Sequence, residues 1–292
     1  ITGGLGFIGT NLINKLQNKK GINIKVIDNN TKKKIKNKKI KLTYGDVLDK
    51  KLVSKISNNC DTIYHFAALT DVRDSLKYPK KYLLNNYIGT INIVNAAIKN
   101  KSNLIFASSA AVYPLNIKEK INEKIDFYPS NSYGLSKKLS ENYIIRKKKK
   151  IKKYTIFRFF NVYGKKNDKS NYSSVIPTFI KIAKQNKSMK INNGGNQTRD
   201  FIHVNDVAEV CIKAGSTNTK KLINLGTGKS IKIIALAKLI KKILNTGKIS
   251  KGKKVLNDAK YSCANTNRLK KYFKKKNFIN IKNGLQNIIY EK

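Results

Sequence analysis

Tyr133 and Lys137, four residues apart in Tyr133-Gly134-Leu135-Ser136-Lys137, are the side chains of this sequence best suited to moving a proton. A phenol is a poor base near neutral pH, because its reference pKa is about 10. Residues four apart on a helix share a face, one turn from each other. The Lys137 ammonium can therefore stabilise a Tyr133 phenolate. Lowering a phenol by about three units takes roughly 4 kcal/mol, at about 1.4 kcal/mol per unit. A buried cation acting with a second positive charge can supply that much. A second stretch, Thr2-Gly3-Gly4-Leu5-Gly6-Phe7-Ile8-Gly9, has the composition of a pyrophosphate site. Gly3, Gly6 and Gly9 leave room for backbone N–H groups, including those of Phe7 and Ile8, to approach phosphates at a helix start. The spacing is G-x-x-G-x-x-G rather than the G-x-G-x-x-G of the dinucleotide fingerprint. About twenty residues on, where that fingerprint places an acid, the β-rich run Ile22-Asn23-Ile24-Lys25-Val26-Ile27 ends in Asp28. A carboxylate there accepts from an adenosine ribose diol and repels a 2′-phosphate. NAD is therefore expected over NADP, a preference that Lys32, Lys33 and Lys34 weaken.

The order and spacing of these features, with Ser108-Ser109 ahead of Tyr133, resemble the extended short-chain dehydrogenase/reductase family, and within it the nucleotide-sugar epimerases and dehydratases. The resemblance covers nearly the whole chain. It implies that Tyr133 is the base, that nicotinamide is the second positive charge, and that Lys137 also holds the nicotinamide ribose. Ser109 lies four residues before Tyr113, as in the family's serine/threonine-x-x-x-tyrosine pattern, which implies a hydrogen bond to the substrate oxygen. Asp46 in Gly45-Asp46-Val47 stands where the family's Asp contacts the adenine edge, with Val47 beside it; a turn-forming role is the alternative. Ala67 and Ala68 match a small pair against the cofactor. His65 reads instead as a packed core residue. Arg158-Phe159-Phe160-Asn161-Val162-Tyr163-Gly164 is similar to the family's R-x-x-N-V-Y-G, whose Asn touches substrate, here Asn161. Gly194 to Val204 matches G-x-x-Q-x-R-D-F-I-x-V, which implies a diphosphate fork at Arg199. Asp200 then orients Arg199 or nearby backbone. Arg268 is either a second phosphate contact or an exposed helix residue. Asn224 to Gly228 reads as a structural turn. Motif register places the position that gates room at the sugar's C2 substituent at Ser262, or at Cys263 if the alignment is off by one.

Hydride loss from a sugar C–OH to bound NAD allows epimerization, dehydration or release of the ketone. Family dehydratases carry an Asp-Glu pair after the active-site hydroxyl. Here those positions are Ala110 and Ala111, which cannot transfer protons. The expected activity is a UDP-hexose 4-epimerase, on UDP-glucose and UDP-N-acetylhexosamines. The alternatives are a dehydratase or 4-keto reductase of the same family, and a non-catalytic NAD- or polyanion-binding protein. Pro114 stands where the family usually has Gly, which alters that loop.

The formal charge of +46 arises from 62 Lys and Arg against 16 Asp and Glu. Only five are Arg, whereas base readers favour the Arg fork. The excess therefore reads as solvated lysine. Runs such as Lys147–Lys150 and Lys274–Lys276 predict salt-dependent, nonspecific polyanion binding and no specific nucleic acid. Cys60, Cys211 and Cys263 form no C-x-x-C, which fits a reducing cytoplasm without disulfides or zinc. With two histidines, no metal site is expected. No apolar run approaches the 18 residues of a membrane span, and no signal peptide is read. The chain begins without Met, inside what should be the first strand. An N-terminal truncation is expected, one that weakens the fold and opens a wall of the cofactor site.

The elements that must position these residues alternate between strand and helix. Strands are expected at 22–28, 39–44, 61–66, 103–108 and 154–160, and helices at 7–19, 49–58, 79–99 and 132–150. This predicts an α/β, Rossmann-like doubly wound parallel sheet. Past Gly164 the alternation loosens, with helical runs at 173–186, 205–214, 231–245 and 283–291. The resemblance makes 1–164 an NAD-binding domain, with segments within about 200–230 returning to it, and 165–292 mainly a smaller substrate-binding region. The apolar stripe of 79–99 fits either core or a homodimer face.

Overall fold

The computed structural model describes residues 1–35, 37, 39–115, 117–126, 128–165, 174–255 and 258–290. Ser173 and Glu291, expected as helix ends, lie outside the described residues. In chain order the elements begin with α1 (Phe7–Leu16), β1 (Ile24–Asp28), β2 (Ile40–Tyr44), α2 (Lys50–Ser57), β3 (Thr62–His65) and α3 (Val72–Lys77). Next come α4 (Pro79–Tyr82), a π-helical turn (Leu83–Ile88), α5 (Gly89–Lys99), β4 (Asn103–Ser109), a 3₁₀ turn (Ala110–Val112), α6 (Ser132–Arg146) and β5 (Lys153–Phe159). They continue with β6 (Asn161–Tyr163), α7 (Val175–Lys184), β7 (Ser188–Ile191), a 3₁₀ turn (Asn192–Gly195), β8 (Thr198–His203) and α8 (Val204–Ser216). The last are β9 (Lys220–Leu225), β10 (Ser230–Lys232), α9 (Ile233–Leu244), β11 (Lys248–Lys251), α10 (Asn267–Phe273) and α11 (Ile281–Tyr290).

The chain forms two compact units. The first comprises 1–113, 126–159 and 207–223; the second comprises 114–125, 160–206 and 224–292. This interleaving is finer than a single boundary near 164. The first unit is the α/β sheet. β1 and β2 are parallel, and β3, β4, β5 and β9 follow one another, with β3–β4 and β4–β5 parallel. Thr2 bridges Ile27 and His65 in parallel, which joins the two sets of strands. Strands covered on both faces read as apolar runs. Leu104, Ile105 and Phe106 of β4 are buried accordingly, and α1 turns Leu12, Ile13 and Leu16 inward. The core here is built on Ile27, Val94, Leu104, Phe106, Ile144 and Ile156.

The second unit has its own core, with Ile176, Phe179, Met189, Phe201, Leu236 and Leu285 buried together. Its small sheets have the order β10-β8-β6 and β11-β7. Among the described residues, no helix is long and apolar enough to cross a membrane.

Two expected helices differ in form. The 132–150 helix stops at Arg146, because the chain turns there to bury Ile151 ahead of β5. The 79–99 helix is broken by the π turn, in which Asn86 is turned inward and buried. Such single-turn π bulges concentrate at functional sites.

Candidate active site

The glycine turn is folded to fit a dinucleotide. Gly3 has φ +66°, and a Cβ there would stand 2.6 Å from the Ala67 amide nitrogen. A Cβ on Gly9 would stand 2.3 Å from the Gly3 carbonyl oxygen. The turn, the end of β3 and the start of α1 therefore touch backbone to backbone. Gly6 is the N-cap of α1 and has no side chain to cap the helix, so the start of α1 presents backbone rather than side chain. Asp28 closes the turn from the side. Its Oδ2 accepts the Leu5 N–H at 2.9 Å and its Oδ1 the Asn30 N–H at 3.0 Å. Lys33 donates to the Leu5 carbonyl at 2.8 Å, so Leu5 is held at both its amide and its carbonyl. Asp46 accepts the Leu48 N–H, as a turn former does, and also lines an open groove with Asn29, Leu69, Pro79 and Leu84. The two readings of Asp46 are thus compatible. Val47 is buried against Gly89, and Ala67 and Ala68 are half-buried.

Tyr133 and Lys137 both lie on the buried face of α6. Asn131 caps this helix by accepting the Gly134 N–H at 2.8 Å. Lys137 donates to the Ala107 carbonyl at 2.8 Å and stands 5.0 Å from the Phe106 ring centroid. Loss of hydration pushes its pKa down to about 7, partly offset by Glu141. An ammonium has three donors, and only one meets an acceptor among the described residues. A cation so desolvated gains most from a nearby anion, which a phenolate one turn away would be. Ser109, at the end of β4, accepts the Ala111 N–H at 3.1 Å, and its own hydroxyl hydrogen meets no acceptor among the described residues. With the glycine turn, these unmet donors fit NAD.

Gly134 sets the distance between helix and strand end. A Cβ there would stand 2.2 Å from the Ala111 carbonyl oxygen. Backbone cannot yield as a flexible side chain can. Gly134→Ala is therefore expected to push the Tyr133 turn off the 109–111 segment and lower kcat by about a hundredfold, the cost of a misplacement near 1 Å. Steady-state kinetics on the purified variant would check this, and unchanged kcat would refute it.

Behind Lys137, Glu141 is fully buried and takes a bidentate pair from Arg158, Nε at 2.9 Å and Nη2 at 2.7 Å. Ser108 also donates to Glu141, and the Arg158 guanidinium lies 4.6 Å from the Tyr113 ring centroid. The sequence reading did not single out Glu141. Its position one turn past Lys137 is the signal that could have found it.

In the second unit, Arg199 is already partly engaged. Nη1 donates to the carbonyls of Thr198 and Ala259, and Nη2 pairs with Asp258. Among the described residues this leaves two of the five guanidinium donors, the Nε–H and one Nη2–H, without an acceptor. Asp200 is fully buried and gathers the amides of Thr227, Gly228 and Ala264, plus the Thr227 hydroxyl. Those bonds hold the 224–228 turn and the 262–264 segment against β8. Ile121 pins that segment again, donating to the Cys263 carbonyl and accepting from Asn265, each at 2.8 Å. Cys263 is turned toward Asp200 and Ser230. Ser262, beside it, is half-buried. Asn161 on β6 donates to the Asp200 carbonyl. Arg268, at the start of α10, reaches Glu123 at 3.5 Å, and Glu123 also accepts the Asn224 amide. Within the lysine run 274–276, Lys275 is no loose surface charge: it pairs at 2.7 Å with the buried Asp206.

The model of the NAD dependent epimerase/dehydratase family matches residues 1–226. The chain belongs to that family. One similar member is the UDP-glucose 4-epimerase of Lactobacillus helveticus, 32% identical over 266 residues that cover 83% of this chain and 80% of that protein. Another is the ADP-L-glycero-D-manno-heptose-6-epimerase of Brachyspira hyodysenteriae, 31% identical over 309 aligned positions, 98% of this chain and 95% of that protein. Among solved family structures, the chain is similar to the UDP-N-acetylglucosamine 4-epimerase from Methanobrevibacter ruminantium M1 in complex with UDP-N-acetylmuramic acid. That match has a TM-score of 0.91 at 30% identity, and covers 99% of this chain and 95% of the other. Family membership brings NAD as the cofactor and a nucleotide-sugar as the substrate class.

Proposed function

We propose that this protein is an NAD-dependent nucleotide-sugar 4-epimerase acting on UDP-hexoses. The observation that carries the reading is Ser109 followed by Ala110 and Ala111, packed against the helix of Tyr133 and Lys137. Such a site can deprotonate a C–OH but has no acid–base pair beside the serine for removing water. Tyr133 takes the C4 hydroxyl proton and later returns it. Ser109 donates to the same sugar oxygen. Lys137 holds the phenolate charge and the nicotinamide ribose. Bound NAD supplies the hydride acceptor at C4 and the return of that hydride to the opposite face.

The first unit is the NAD-binding domain: the turn of Gly3, Gly6 and Gly9, with Phe7 and Ile8 at the start of α1, would hold the pyrophosphate, Asp28 the adenosine ribose, and Asp46 with Val47 the adenine. Ala67 and Ala68 lie along the cofactor. The second unit is the substrate-binding region, where the open edge of Arg199 takes the diphosphate and Asn161 the sugar nucleotide. Arg268 would join as a second phosphate contact by exchanging Glu123 for substrate. The exposed Leu84, Ile88 and Ile145 support a homodimer through the π turn and α6. The cysteine usage supports a cytoplasmic location.

Ser262 leaves space beside the sugar's C2 substituent, so both UDP-glucose and UDP-N-acetylglucosamine should be inverted. Incubation with each sugar, without added cofactor and with products resolved by chromatography, tests the assignment. Interconversion of C4 epimers is the expected result. A released 4-keto product would overturn it in favour of a dehydratase or reductase. Ser262→Tyr should lower kcat/KM for UDP-N-acetylglucosamine by more than about a hundredfold, a clash rather than a lost methylene, while sparing UDP-glucose. Equal losses on both sugars would remove Ser262 from the gate.

A further inference from the structure

His65 is buried, 1% exposed, at the end of β3. The proposed chemistry gives it no role, yet both of its ring nitrogens are bonded. Nδ1 lies 2.7 Å from the Thr2 hydroxyl and Nε2 lies 3.0 Å from the Thr90 hydroxyl. The directions of these bonds follow from what surrounds them. Thr90 is 2.6 Å from the Asn86 carbonyl, which can only accept, so the one hydroxyl hydrogen of Thr90 is committed there. His65 must then donate from Nε2. A neutral imidazole carries one ring hydrogen, so Nδ1 is bare and accepts from Thr2. Thr2 in turn accepts the Ala67 N–H at 3.2 Å. Burial, reinforced by the nearby Lys137 ammonium, pushes the imidazolium pKa down to about 3, which agrees with a neutral ring.

The chain of bonds continues past Asn86. The side chain of Asn86 brackets Leu69, accepting its amide at 2.8 Å and donating to its carbonyl at 2.9 Å. It also donates to the Ser136 hydroxyl at 3.0 Å, and Ser136 donates to the Tyr133 carbonyl at 2.7 Å. One end of this network is therefore the amide against which Gly3 packs, and the other is the first turn of α6. The π turn is the geometry that lets Asn86 serve both directions.

We propose that His65, fixed as its Nε2–H tautomer, is a positioning residue that aligns the Tyr133 turn with the cofactor-facing end of β3 through this buried network. The role presupposes the proposed epimerase, but its structural half can be tested alone. Nitrogen-15 NMR of histidine-labelled protein should show a protonated Nε2 and a bare Nδ1 that does not titrate between about pH 5 and 8, the range of an ordinary histidine. A protonated Nδ1, or a ring that titrates there, overturns the proposal whether or not the protein turns over any sugar. His65→Phe keeps the ring packing against Phe106, 5.6 Å between centroids, and removes both bonds. It should lower kcat by about tenfold to a hundredfold, the range for small misplacement of reacting groups. KM for the UDP-sugar and the bound NAD content should be unchanged. His65→Gln, whose amide can still donate to Thr90, should recover part of the loss. Wild-type kcat in a folded, NAD-loaded His65→Phe overturns the role; so does an equal rise in KM. Failure of that variant to fold leaves the decision to the Gln variant: wild-type or Phe-like behaviour there counts against the network.

Discussion

Tyr133→Phe is expected to lower C4 inversion by about a thousandfold, within the range that a positioned acid–base group contributes. The ring is nearly buried, 9% exposed, in the first turn of a helix that Asn131 caps, so the substitution removes a hydroxyl without changing the packing. What is lost is specific. Ala110 and Ala111, which follow the serine, cannot take a proton from a C–OH, and His65 is committed inside its own network. Lys137 keeps its bond to Ala107 and its attraction to Glu141 but loses the phenolate one turn away as a second partner. NAD content should match wild type, so a loss of turnover in the folded variant reads as chemistry. Inversion within tenfold of wild type would mean that another group is the base.

The largest effect on stability is expected from Glu141→Ala. Glu141 is 0% exposed and Arg158 is 2% exposed, and the pair is bidentate. Removing one partner of such a pair leaves an uncompensated buried charge and costs about 3–5 kcal/mol. Here the remaining cation is poorly placed to recover, because Arg158 Nη1 already lacks an acceptor among the described residues. Ser108 would lose its acceptor as well. Urea denaturation should show the fall as a lower midpoint at unchanged slope. A loss below about 1 kcal/mol, the scale of a solvent-exposed pair, would contradict the buried geometry. The variant also removes the charge that holds up the Lys137 pKa, so the surviving activity should fall as well.

How far these features could be read from the sequence depended on whether a residue's partner was near in the chain. Tyr133 and Lys137 are one helical turn apart, and the glycine run encodes its own turn, so their arrangement follows from local geometry. The five strands and four helices of the first half showed the same local periodicity, with ends shifted by a few residues. The pairs that hold the site show no such signal. Glu141 meets Arg158 seventeen residues away, and Arg199 meets Asp258 fifty-nine away. Nothing in the local pattern around Asn86 announces a π turn, since the turn answers to Leu69 and Ser136. The strands of the second unit were hard to read for another reason. β10 and β11 are three and four residues long and hold one Ile each among lysines and serines, too little for a periodic signal.

The anchoring of the 262–264 segment has a use in protein engineering. Its backbone is fixed by the Asp200 carboxylate, which accepts the Ala264 amide, and by the backbone of Ile121, and none of these bonds uses the side chain at 262. The frame is thus indifferent to what it displays. With Ser262 as the proposed gate, substituting that one position through a series of increasing volume should work as a dial on substrate size.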